Sequence, residues 1–146
     1  MKATLQVINQ MQADGVISSY AIGEAIGVTF YLEPIYRYLQ SRGYLPEKEC
    51  ILIEGWLVQF LPPDDPLDEE VLAQAVQADA GGIPVRVMTA EHLVAIALKV
   101  GRPKDKIRVA QFAESGILNV EKLLQIVERH GLLAKWKQFN DKYLNE

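Results

Sequence analysis

The sequence predicts an α+β fold with a helical C-terminal half, and three observations carry that expectation. Two short apolar runs, residues 50–53 and 56–61, are separated only by Glu54-Gly55, a two-residue hairpin signal. A further strand pattern over 83–88 follows Gly81-Gly82. Beyond Thr89 the chain repeats apolar residues at helical spacing between glycine stops.

Taken in order, Leu5, Ile8 and Met11 sit at helical spacing, and Gly15 follows as a stop. Tyr20-Ala21-Ile22, between Ser18-Ser19 and Gly23, reads as a buried strand feeding a tight turn. Residues 24–32 are apolar almost all round, the pattern of a helix covered on most of its surface. A helical pattern resumes over 35–42 and stops at Gly43. With no strand between them, these stretches are expected to form one helix kinked at Pro34, since proline removes a backbone donor and clashes with the preceding turn. Runs 51–53 and 57–61 are nearly continuously apolar, as in strands covered on both faces. Pro62-Pro63-Asp64-Asp65-Pro66 is a rigid acidic loop, and Asp68-Glu69-Glu70 open a helix to about Gln77 with carboxylates where the dipole favours them. Pro84 places 83–88 at a strand start or sheet edge. Thr89 caps a helix over 90–100 ended by Gly101, and Pro103 opens one over 103–114 before Gly116. Asn119 caps one over 120–130, and 132–144 closes the chain. No repeat or linker interrupts it, so one domain is expected over 1–146, with an α/β core at 1–88 and a helical part at 89–146.

The 146 residues are 49% hydrophobic and 23% charged. A soluble domain of this length buries about 70% of its unfolded surface. Fifteen Lys and Arg against nineteen Asp and Glu give a net charge of −4, which excludes a bulk basic footprint for nucleic acid and leaves only a local patch. A single cysteine, Cys50, excludes an internal disulfide framework and fits a reducing cytoplasm, the expected compartment. With two histidines beside it, a His/Cys zinc site is not expected. Met1-Lys2-Ala3-Thr4 opens no signal peptide, and no run approaches the ~20 apolar residues that span a bilayer, so no membrane is expected.

Three pieces in order resemble the small nucleotidyltransferases of the DNA-polymerase-β-like superfamily, including its AbiEii toxin-like branch. Tyr20-Ala21-Ile22-Gly23-Glu24-Ala25-Ile26 with Phe30-Tyr31-Leu32-Glu33-Pro34 is similar to the family's strand, Gly-Gly/Ser turn, helix and aromatic-x-Glu-Pro. Ile51-Leu52-Ile53-Glu54-Gly55 through Val58-Gln59-Phe60-Leu61-Pro62 resembles the strand pair after the catalytic strand. Glu91-His92-Leu93 through Lys99, Gly101-Arg102 and Lys104-Asp105 is similar to the helical Lys…Arg-x-Lys-Asp segment. The resemblance implies a mixed β-sheet with helices, and vestigial nucleotide contacts at Gly23, Glu24, Lys99, Arg102 and Lys104.

Nucleotidyl transfer in that family uses an Asp-x-Asp strand, whose period of two puts both carboxylates on one face to hold divalent metal against the triphosphate. Its turn offers backbone amides at a helix N-terminus to phosphate. Here Glu33-Pro34 runs straight into Ile35-Tyr36-Arg37-Tyr38-Leu39, so the metal strand is missing. Glu24 stands in place of the second Gly or Ser and repels a triphosphate. Gln59 replaces a third carboxylate, and Arg108 falls where the branch often has a second aspartate.

Other residues have simpler readings. Asp64 and Asp65 are adjacent and point to opposite sides of an extended chain, which favours a solvated acidic loop over a metal site. Glu33 alone makes a weak ligand. Lys99, Arg102, Lys104 and Arg108 form a basic cluster that either contacts phosphate or pairs within the chain, with Asp105 tying the turn. His92 has no nucleophile or metal partner in view and reads as a packing or hydrogen-bonding residue. His130 reads as a helix C-terminal cap, and Cys50 as an inert small hydrophobe. Trp56 is a core residue or a partner anchor, and Trp136 belongs to a docked amphipathic C-terminal helix.

The sequence therefore reads as a degenerate nucleotidyltransferase-fold protein with no catalytic residues, no metal site and no cofactor, acting by binding a partner or ligand. The rivals are an active enzyme, using Mg²⁺, whose catalytic strand lies outside this sequence, and the non-enzymatic member of a toxin–antitoxin-type pair. A homodimer that pairs this edge or exchanges the 24–42 segment between chains is expected, because removal of the strand leaves an unpaired edge and apolar surface. A protein partner, nucleotide or nucleic acid stays open.

Overall fold

The computed structural model describes residues 1–23, 32–48 and 50–144. The architecture is mixed α and β, and the chain divides into two compact units, Met1–Met88 and Thr89–Glu146.

The first unit opens with helix α1, Lys2–Ala13, which buries Leu5, Ile8 and Met11. Thr4, one turn before Ile8, donates from Oγ1 to the Ile53 carbonyl over 2.9 Å, fixing the helix to the neighbouring sheet. Helix α2, Leu32–Ser41, carries Pro34 near its described start and buries Ile35 and Leu39. The helix expected over 24–32, and its kink into α2, fall outside the described residues apart from this end.

Strands β1 (Pro46–Glu47), β2 (Cys50–Ile53) and β3 (Trp56–Val58) form an antiparallel sheet in that order. The β2–β3 turn is Glu54-Gly55, with φ of 50° and 86°, as the hairpin signal requires. The register sets Ile51 opposite Val58 and Leu52 opposite Leu57. Ile51, Ile53 and Val58 face the core with Phe60, Met11, Tyr20, Ile35 and Leu39. Leu52 and Leu57 face away and are exposed, which corrects the expectation of strands covered on both faces. Apolarity along a run does not distinguish a buried face from an open one.

Helix α3 runs over Pro66–Ala73, capped by Asp65, whose side chain accepts from the Asp68 amide over 2.9 Å. It stops four residues before the expected Gln77, because Val76–Ala80 is a strand, β4, paired antiparallel with β5, Ile83–Val87, around Gly81-Gly82. The predicted strand at Tyr20–Ile22 reduces to one parallel bridge. Ile22 donates to the Arg86 carbonyl over 2.8 Å and accepts from Met88 over 3.0 Å. Both sheets are antiparallel, so this bridge is the only parallel pairing among the described residues.

The second unit is helical: α4 (Ala90–Val100), α5 (Pro103–Ser115), α6 (Val120–Arg129) and α7 (Leu133–Phe139), followed by a π-helical turn, Asn140–Leu144. Helix α4 packs on α5, α6 and α7, as its nearly continuous apolarity demands. Thr89 accepts from the His92 amide, and Asn119 from the Lys122 amide, the two expected N-caps. Leu123, Ile126, Val127 and Trp136 are buried within this unit. Among the described residues, no helix is long and apolar enough to cross a membrane.

Charge is divided unevenly. The first unit carries five Lys and Arg against twelve Asp and Glu, and the second carries ten against seven.

Candidate functional site

The basic cluster lies at the junction of α4 and α5. Lys99 occupies the last turn of α4, where a cation suits the helix dipole. Gly101 then adopts a left-handed φ of 72°, Arg102 takes the N-cap of α5, and Pro103 its first position. Three residues after the cap, Asp105 turns back. Its Oδ2 accepts from the Arg102 backbone amide over 3.1 Å and from Arg102 Nε over 2.7 Å, while Oδ1 accepts from Nη2 over 3.2 Å. The guanidinium hydrogen bond, foremost, holds the Asp105 carboxyl below the ordinary aspartate range against the opposing effect of burial.

Arg102 is paired within the chain. Its planar fork, the feature suited to phosphate, is engaged by the chain's own carboxylate. Lys104 is exposed one residue before Asp105, and the Lys99 carbonyl accepts from Lys135 Nζ over 3.2 Å. Gly23, half-buried next to the Ile22 bridge, belongs to the first unit, whereas Lys99, Arg102 and Lys104 belong to the second. Glu24 lies outside the described residues.

The carboxylates of Asp65, Asp68 and Glu33 have structural partners, whereas Asp64 is exposed and takes part through its backbone amide. Asp68 Oδ2 accepts from the Asp64 amide over 3.0 Å while Asp65 accepts from the Asp68 amide, a reciprocal cap on α3. Glu33 pairs with Arg37 on the exposed side of α2. Among the described residues, no group of three or more His, Cys, Asp or Glu is placed to hold a metal ion. His92 is fully buried with Nδ1 2.7 Å from Thr89 Oγ1, and His130 is the C-cap of α6. Trp136 is buried and Trp56 exposed.

One residue escaped the sequence reading. Arg86 Nη2 donates to the carbonyls of Ala75, over 3.0 Å, and Leu72, over 3.3 Å, at the C-terminal end of α3, where helix carbonyls lack intrahelical partners. Its backbone amide donates to Tyr20 Oη over 3.3 Å, and Tyr20 donates in turn to Asn9 Oδ1 over 2.6 Å. Burial, foremost, raises the Tyr20 phenol above its ordinary range. The buried Arg86 Nε meets no hydrogen-bond partner among the described residues. The only signal available beforehand was one cation inside Ile83-Pro84-Val85-Arg86-Val87.

Fold and cluster together define a mixed α and β protein of two compact units with a self-paired basic junction. No protein-family model matches the chain, and no curated protein matches it either.

Proposed function

We propose that the chain is a nucleotidyltransferase-fold protein that acts by binding and does not transfer nucleotides. The observation that carries this reading is helix α2. Directly at Glu33-Pro34, where the resemblance calls for an Asp-x-Asp strand soon afterwards, the chain is helical as far as Ser41. A helix rotates successive side chains by about 100°, so residues two apart do not share a face as they do in a strand. Among the described residues no group of three carboxylates is placed to hold a divalent ion: Glu33 is paired with Arg37, the Asp65 and Asp68 carboxylates cap α3, and Asp64 joins that cap only through its backbone amide. No catalytic step follows from these residues. The turn at Gly23 and the cations Lys99, Arg102 and Lys104 stay as vestigial contacts within this reading.

The test is incubation of the full chain with labelled nucleoside triphosphates, Mg²⁺ or Mn²⁺, and RNA or protein acceptors. The expected outcome is no transfer. Turnover abolished by Glu33→Gln or Asp64→Asn overturns the reading.

The partner in this reading is a second copy of the chain. Leu45, Leu52 and Leu57 form a row across the outer face of the three-stranded sheet, 70%, 43% and 52% exposed. Such a row is exposed apolar surface on one sheet face, the kind of surface that marks an interaction site.

A further inference from the structure

We infer that the helical unit holds a binding site for a small organic anion with an apolar body. The site is a cavity of about 810 Å³ bounded by α4, α5, α7 and the π-helical turn. That is within the ~300–1,000 Å³ range of small-molecule pockets. Its apolar lining includes Leu98, Val109 and Phe139, one residue from each of the three helices. Around it stand three lysines, Lys106, Lys135 and Lys142, against a single carboxylate, Asp141.

The placement of these lysines favours an anion. The C-terminal end of α4 lines the cavity and would present a negative partial charge. Lys135 counters it, donating from Nζ to the Lys99 carbonyl over 3.2 Å. Lys142 Nζ lies 5.3 Å from the centre of the Tyr143 ring, which is itself 4.8 Å from the Phe139 ring. The aromatic pair thus extends the apolar surface while the ammonium stays beside it. Lys106 projects from α5 and is exposed. An apolar body covers the lining and one anionic group meets the exposed lysine ammoniums around it. A neutral ligand gains only the first of these, and an inorganic anion only the second. None of the side chains lining the cavity is a vestigial contact or a carboxylate of the nucleotidyltransferase reading, so the two stand or fall separately.

The experiment is fluorescence titration of the full chain with 1-anilinonaphthalene-8-sulfonate and with N-phenyl-1-naphthylamine, the same ring system without the sulfonate. The expected result is saturable binding of the sulfonate, about tenfold tighter than the neutral probe, the factor that one charge-assisted contact supplies. That preference is expected to vanish in Lys106→Gln/Lys135→Gln. Both probes are expected to be excluded in Val100→Trp, which places an indole at an exposed residue of the lining. Leu52→Ser/Leu57→Ser, in the other unit, is expected to leave the titration unchanged. Absence of saturable binding overturns the inference, as does equal affinity for the two probes. Sulfonate binding that persists unaltered in the lysine and Val100 variants overturns it as well.

Discussion

Asp105 illustrates how one side chain decides the character of a charged cluster. It is only 4% exposed, yet it stays ionised because Arg102 and the α5 N-terminus supply donors to both oxygens. Replacing it with Asn removes the charge from that network and is expected to cost about 2 kcal/mol at pH 7, the range for a charge-assisted hydrogen bond combined with a cap. The pH dependence follows from the lowered folded-state value, caused chiefly by the Arg102 hydrogen bond. Protons bind more readily to the unfolded carboxyl, so its contribution is complete above the ordinary value of 3.8 and is lost as pH falls through the folded value. Urea denaturation of the chain and of Asp105→Asn at pH 7 and pH 3 checks this: the gap between them is expected to narrow at pH 3. A gap that widens on acidification contradicts the assignment. Asp14 is lowered in the same direction, first by its bond from the Tyr38 hydroxyl, but it lies at the surface, where solvent screens the effect.

At the scale of elements, local chemistry was readable and long-range pairing was not. The Glu54-Gly55 hairpin, the caps at Thr89 and Asn119, and the stop at Gly101 each depend on a few adjacent residues, and the structure has all of them. Strand β4 depends on a partner. Val76-Gln77-Ala78-Asp79-Ala80 contains good helix formers, and only its ladder with β5 across Gly81-Gly82 makes it extended. Arg86 was hidden for the same reason, since the carbonyls it meets, at Leu72 and Ala75, lie fourteen and eleven residues away. The basic cluster was visible as a cluster, whereas the cavity was not, because faces of separate helices compose it. Ala78→Thr tests the strand directly. Facing Val85 across the hairpin, a β-branched residue is expected to stabilise the fold by about 0.5 kcal/mol, whereas inside a helix it would destabilise by a similar amount. Thermal melting gives the sign.

At the scale of the whole molecule, the proposed self-association rests on the row Leu45, Leu52 and Leu57. Light scattering over a dilution series is expected to show twice the 16.4 kDa chain mass at high micromolar concentration, falling toward the single-chain value on dilution. Leu52→Ser/Leu57→Ser is expected to hold the protein monomeric throughout with its melting temperature independent of concentration. A strict monomer before substitution removes the proposed partner. The unequal division of charge has a separate consequence, felt between molecules that never dock. The acidic unit of one molecule attracts the cationic unit of another even though both molecules carry a net charge of −4. In dilute buffer the osmotic second virial coefficient of the Leu52→Ser/Leu57→Ser variant is therefore expected to lie below that of a uniformly charged sphere of equal net charge. It should rise toward that reference as salt shortens the Debye length to ~10 Å at 0.1 M. Salt is thus expected to loosen this attraction and to leave the proposed apolar contact of the leucine row intact, so the two modes of encounter would separate by their response to ionic strength.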